Sequence, residues 1–125
     1  MSRAAKSLFI FGIYLELLAI VLVLAPNVLL AAFHVASTHE IWIRCLGVVT
    51  GSVGVYYLLA ARGDFVPIIV ASIPVRLALM AFFAAFVLFD HAEPSLLFFG
   101  AADAIGAAWT LVALRADAGL VRPGA

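Results

Sequence analysis

Apolar residues run almost unbroken along the chain in four stretches, about Ser7–Ala25, Ile41–Ala61, Phe65–Phe89 and Ser95–Leu114. Each approaches or exceeds the roughly 20 residues an α-helix needs to cross the hydrocarbon of a bilayer. The residues between them are those of helix ends. Pro26-Asn27 closes the first stretch. Ser37-Thr38-His39-Glu40 has the Ser-x-x-Glu form of a capping box, which predicts that the second helix starts near Thr38. Gly63 is placed to cap the end of that helix, Asp64 with Pro67 to open the third, and Asp90-His91-Ala92-Glu93-Pro94 separates the third from the fourth. The expectation is an all-α protein: a four-transmembrane-helix bundle, antiparallel up-down-up-down, in one integral membrane domain over residues 1–125. In the first connection Val28, Leu29, Leu30, Phe33 and Val35 predict a short interfacial helix over 27–36. It reads as a linker packed over the bundle or as a lid, with His34 placed to face the bundle mouth.

Composition excludes the alternatives. Of 125 residues, 67% are hydrophobic and 11% charged, and mean hydropathy is +1.25, where a soluble domain is about half apolar and a quarter charged. So short a chain cannot hide that much apolar surface inside one water-facing globule, so a soluble enzyme, a nucleic-acid binder and a disordered tail are ruled out. Seven basic and seven acidic residues cancel, leaving no net field for polyanions. The expected partner is the lipid bilayer, with a second copy of the chain or a membrane partner protein left open, and no nucleic acid. Cys45 is the only cysteine, which removes a disulfide framework and a Cys-rich metal site. The first stretch is read as a transmembrane helix and not a signal peptide, because Glu16 interrupts it and Pro26 follows the only small-residue cleavage point.

Orientation follows from lysine and arginine. Arg3 and Lys6 precede the first stretch, Arg62 lies between the second and third, and Arg115 and Arg122 follow the fourth, whereas the first and third connections hold neither residue type. Both termini are therefore expected on the cytoplasmic side. Trp42 and Trp109 lie toward opposite faces, where indole rings favour the interface.

Four ionisable residues fall inside the stretches: Glu16, Arg44, Arg76 and Asp103. Each costs about 2.5–3.5 kcal/mol at the bilayer centre on insertion scales. Two acids and two bases make a neutral set, which favours pairing. Counting along each helix places Glu16, Arg76 and Asp103 near mid-span at one level, with Arg44 roughly 10 Å toward the outer face, free to snorkel outward or to reach a carboxylate. Each lies on a helical stripe suited to the bundle interior: Gly12, Glu16 and Ala19; Arg44, Gly47, Gly51 and Gly54; Ser72, Arg76 and Met80; Gly100, Asp103, Ala107 and Thr110. Small residues are what membrane helices place at close approaches. The expectation is one buried polar cluster, either a structural ion-pair network or a pocket, with Ser72, Tyr14 and His34 as contributors. Pro74 frees the carbonyl of Val70, which Ser72 is placed to re-satisfy. Tyr56 and Tyr57 are expected at the interface, Cys45 as an inert small residue, and Phe82, Phe83, Phe86 and Phe89 as bulk and not a binding cage. The chain has no Cys-x-x-Cys, no histidine pair at ligand spacing within a span, no phosphate loop and no nucleophile elbow. No cofactor, no metal and no catalytic residue is therefore expected.

Pro26-Asn27-Val28-Leu29-Leu30, Ile43-Arg44-Cys45-Leu46-Gly47, Gly54-Val55-Tyr56-Tyr57-Leu58-Leu59-Ala60-Ala61-Arg62, the mid-helix Arg76, and Phe99-Gly100-Ala101-Ala102-Asp103 leading to Ala108-Trp109-Thr110 together resemble the small four-helix bacterial membrane proteins grouped as BphX-like or DoxX-like. The resemblance implies a place in the bacterial inner membrane and makes Arg44, Arg76 and Asp103 part of a shared pattern, with no reaction attached. The preferred role is a non-enzymatic accessory or ligand-binding component. The alternative is a proton-coupled transporter, since length, helix number and Glu16 in the first helix also resemble the small multidrug-resistance family. In that family the glutamate exchanges protons for cationic drugs in an antiparallel dimer; Arg76, Asp103 and the one-sided positive charge depart from it. A membrane-embedded oxidoreductase subunit is the third reading.

Overall fold

The computed structural model describes residues 1–121, with side chains through Gly119; Arg122, counted above in the charge bias, lies outside the described residues. The described chain is all helical: α1 (Arg3–Leu24), α2 (Pro26–Ala32), α3 (Trp42–Arg62), α4 (Val66–Phe89) and α5 (Leu96–Val121). Four of these, all but α2, are long and apolar enough to cross a membrane.

The ends differ from the pattern-based expectation where tertiary contacts take over. α1 begins four residues before Ser7. The Ser2 hydroxyl accepts from Ala5 N at 3.1 Å, and the Asp117 carboxylate of α5 accepts from Arg3 N and Ala4 N at 3.2 and 3.1 Å. The unpaired amides of a helix N-terminus call for such oxygen partners. That contact also explains why α5 continues past Leu114 although the apolar run ends there. α3 starts at Trp42, not Thr38. Its cap residue Ile41 makes no side-chain bond, and Thr38 Oγ1 instead accepts from Glu40 N at 3.2 Å, while Thr38 N and O are both held by the Asn27 side chain at 2.9 and 3.0 Å. The expected capping box is a loop tie. The interfacial helix is present but short, because His34 takes a left-handed φ of 57° and Val35 N closes back on Leu30 O at 2.8 Å.

Gly63 does sit at the C-cap of α3, yet with φ of −90°. The left-handed position belongs to Asp64 (φ 48°), with Asp64 N on Ala61 O and Phe65 N on Ala60 O, the paired bonds of a Schellman ending. The Asp64 carboxylate takes both contacts of Ser2 N at 3.0 and 3.2 Å and lies 3.9 Å from the N-terminal ammonium. The Ser2 side chain first, its amide second and then the ammonium hold the Asp64 pKa below the ordinary carboxylate value of 3.8. A folded-state pKa below the unfolded one adds stability above the unfolded value and loses it as pH falls through the folded value. Asp64→Asn is therefore expected to lower the thermal midpoint slightly at neutral pH, and the gap to the parent should close below pH 3.8. Melting both proteins in detergent across that range checks it; a constant gap contradicts the contact.

Packing places α1 between α3 and α5, with α4 laid along the other side of α5. α3 and α4 follow each other through a short turn yet touch sparsely. α1 meets α3 across glycines: a Cβ on Gly47 would stand 2.8 Å from both Leu22 Cβ and Val23 Cγ2. The apolar core gathers near the Ser2–Asp64–Asp117 end, around Leu8, Phe11, Leu15, Tyr57, Ala61 and Ile69. Pro74 lies inside a continuous α4. The Ser72 hydroxyl donates to Ile69 O at 2.7 Å, so it does not serve the freed carbonyl of Val70.

Candidate functional site

Arg76 has no exposed surface. Its Nε donates to Ser72 O at 3.2 Å, and its Nη2 donates to Ser72 Oγ at 2.9 Å and to Thr110 Oγ1 at 2.8 Å. Thr110 also contacts Ser7 Oγ of α1 at 2.8 Å and Gly106 O at 3.0 Å, and Ser7 lies 2.7 Å from Ala4 O. Two hydroxyl protons thus serve three contacts, so the proton arrangement on Ser7 and Thr110 is switchable. The guanidinium carbon lies 4.8 Å from the Phe11 ring centre and 6.0 Å from that of Tyr57, within cation–π range. Nη1 has no partner. It is pressed toward Gly106, where a Cβ would come within 3.0 Å of it.

No salt bridge joins any two of the four intramembrane charges among the described residues; the one present pairs the N-terminus with Asp64. The expected single cluster is therefore replaced by separate sites, and helix geometry gives the reason. A side chain leans toward the N-terminus of its own helix. α4 and α5 run in opposite directions, since Met80 meets Gly100 while Arg76 meets Thr110. Arg76 and Asp103, level by counting, lean apart. Arg76 goes down to Ser72 and Thr110, and Asp103 is left two helical turns away from Thr110, about 10 Å along α5.

Glu16 lies on the seam between α1 and α3, its Oε1 buried without a partner. Its carboxyl group rests against the α-carbon of Gly54 and lies near Gly51, filling space a side chain there would take. Arg44 is exposed and neither snorkels free nor meets a carboxylate: its Nη1 donates to the Val23 carbonyl. This covers one of the open carbonyls in the last turn of α1, where a cation is favoured. Cys45 is exposed. His34 is exposed and borders a surface depression with Glu93 and Ser95, away from the interior.

Asp103 opens instead into a cavity of about 430 Å³ between α3 and α4, floored by α1 and α5 and covered at one end by Leu29 and Leu30 of α2. Phe11, Tyr14 and Leu18 come from α1, Trp42, Thr50 and Tyr57 from α3, Leu79 and Phe83 from α4, and Phe99 from α5. The cavity exists because α3 and α4 do not close on each other. Phe33, just after α2, packs on Phe98 and Phe99 at 5.6 and 5.1 Å between ring centres, holding the cover over the start of α5. Asp103 is 9% exposed, accepts no hydrogen bond from the described residues, and is the sole carboxylate in the lining. Arg76 is not part of that lining.

Of the sequence-predicted residues, Asp103 and Tyr14 line the cavity, and Ser72 and Arg76 share the hydroxyl site beneath it; Glu16, Arg44 and His34 lie elsewhere. Tyr57 was expected at the interface but is buried at 8% exposure and faces the cavity, whereas Tyr56 is turned out. Phe83, expected as bulk, is a cavity wall. Ser7 went unseen, since one serine at the start of an apolar run carries no signal. Thr110 was visible on the Asp103 stripe.

The fold and site define a class: a helical protein with four membrane-length helices that line an apolar cavity open between α3 and α4, with one carboxylate that has no partner among the described residues. Comparison with family models, curated proteins and solved structures finds no match to this chain.

Proposed function

We propose that the protein is a non-enzymatic integral membrane protein that binds a small membrane-dissolved molecule in the cavity between α3 and α4, as a receptor or accessory component. The observation that carries this reading is the cavity itself. Ligand sites are concave and mostly apolar with a few placed polar groups. About 430 Å³ walled by aromatic rings and closed at one end by α2 meets that description. The up-down-up-down arrangement with both termini cytoplasmic belongs to the same reading. It is supported by the lysine and arginine bias and by the bonds that gather Ser2, Asp64 and Asp117 at one end. The resemblance to BphX-like or DoxX-like proteins is compatible with it.

The chain has two tryptophans, so Trp109→Phe leaves Trp42, in the cavity wall, as the reporter. In nanodiscs, 11-bromoundecanol is expected to quench Trp42 with saturation, and Thr50→Phe, which fills the lining, to remove the saturable part. Purely linear quenching, equal in both proteins, refutes the reading.

A transporter using Glu16 is the second reading, favoured by the unpartnered Oε1 against Gly54. It requires Glu16→Gln to abolish proton-coupled efflux while the protein still accumulates.

A further inference from the structure

We infer that the cavity selects a cationic amphiphile: a single ammonium group seated on Asp103 with an apolar chain along the α3–α4 opening. This deepens the ligand-binding reading and rests on it. Asp103 is more than nine-tenths buried, has no hydrogen-bond donor and no salt-bridge partner among the described residues, and is the sole carboxylate in the lining. The Asp103 carboxylate keeps surface open to the cavity, and a ligand ammonium would meet it there with charge-assisted bonds.

The surrounding groups favour the same charge. The aromatic side chains of Tyr14, Phe83 and Phe99 line the space, and ring quadrupoles attract cations; the Phe11 and Tyr57 rings are already within range of Arg76. Tyr14, Tyr57 and Thr50 also add hydroxyl groups to the lining, and hydroxyl oxygens can accept from an ammonium. The nearest competing cation, Arg76, is enclosed by Ser72, Thr110 and the Phe11 ring, with no surface reaching the cavity. Glu16 lies outside the lining on the α1–α3 seam. The ligand is membrane-borne because of the wall: Leu46 and Val49 of α3 line the cavity and are 48% and 59% exposed, on a helix long and apolar enough to lie in the bilayer. Sparse contact between α3 and α4 leaves a lateral path from the hydrocarbon.

The test uses three probes with one tail and different heads: 11-bromoundecylammonium, 11-bromoundecanol and 11-bromoundecanoate. They are titrated into the full chain carrying Trp109→Phe in nanodiscs of uncharged lipid at pH 7. The ammonium is expected to bind at least about tenfold more tightly than the alcohol, as a charge-assisted bond to a buried partner predicts, and the carboxylate more weakly than either. Asp103→Asn should bring the ammonium-to-alcohol ratio to near unity, and Asp103→Glu should restore it. Equal saturable binding of ammonium and alcohol overturns the inference and leaves the cavity as a neutral-ligand site. Tightest binding by the carboxylate overturns it in favour of Arg76 as the controlling charge. An unchanged ratio in Asp103→Asn overturns the assignment to Asp103. Absence of saturable quenching by all three probes refutes the ligand-binding reading as well.

Discussion

Gly47→Val is expected to prevent α1 and α3 from docking. A side chain at position 47 meets Leu22 Cβ at 2.8 Å, Val23 Cγ2 at 2.8 Å and the backbone nitrogen of Val23 at 3.1 Å. Two of these atoms belong to or adjoin the α1 backbone, so relief requires moving the helix and not turning a rotamer. Overpacking alone costs about 1–3 kcal/mol. Here it also draws the Val23 carbonyl away from Arg44, which exposes the end of α1. Glu16 faces the same seam two turns down, against Gly54, and loses its cover with it. A loss of about 3 kcal/mol or more follows, read as reduced accumulation and earlier unfolding in mixed micelles. Two controls set the scale. Gly51→Ala places its Cβ 3.2 Å from Ala19 Cβ, a contact relieved by a helix shift of a few tenths of an ångström, and Gly119→Ala meets nothing within 4 Å. If Gly47→Val behaves like Gly119→Ala, the α1–α3 seam is misplaced.

The seam also shows how far the residue pattern alone reaches. Gly47, Gly51 and Gly54 mark a close approach by spacing, but many helices could supply the partner. Nothing in a nearly all-apolar α4 says that it packs along α5 and stays off α3. The spans were legible because length and hydropathy decide them one at a time. The ends were less so, because Asp117 reaching Arg3 N and Asp64 reaching Ser2 N are tertiary caps. Asp103 and Arg76 were legible as interior residues, since charge on a small-residue stripe has few other places to go. Their relation was not. Counting fixes the height of a Cα, whereas the lean of each side chain toward its own N-terminus carries Arg76 and Asp103 to different layers. Tyr57 illustrates the remaining gap: it and Tyr56 are adjacent and chemically alike, and only helix order decides which one faces the cavity.

The same separation of layers predicts how Arg76 and Asp103 respond to substitution. Arg76→Ala empties a fully buried site and is expected to cost roughly 2–5 kcal/mol, as other large-to-small core changes do. Arg76→Met should recover most of that. Ser72, Thr110 and Ser7 each keep a backbone acceptor in Ile69 O, Gly106 O and Ala4 O, so the hydroxyls are not stranded. The methionine also removes the two N–H donors of Nη1 that have no partner. A buried charge without a counter-charge is costly, and an apolar side chain of similar reach removes that cost. Asp103→Ala, facing a cavity and holding no bond, should change stability far less than Arg76→Ala. A direct ion pair demands a different set of results. Arg76→Met would then strand the carboxylate, both single substitutions would cost alike, and the exchange Arg76→Asp with Asp103→Arg would rescue them. The geometry gives the exchange no rescue, because the side chains at 76 and 103 lean to different layers and a guanidinium at position 103 stands in the cavity without a carboxylate in the lining. Urea unfolding of the five proteins in one detergent separates the two accounts, and a rescued exchange would mean that Arg76 reaches Asp103 after all.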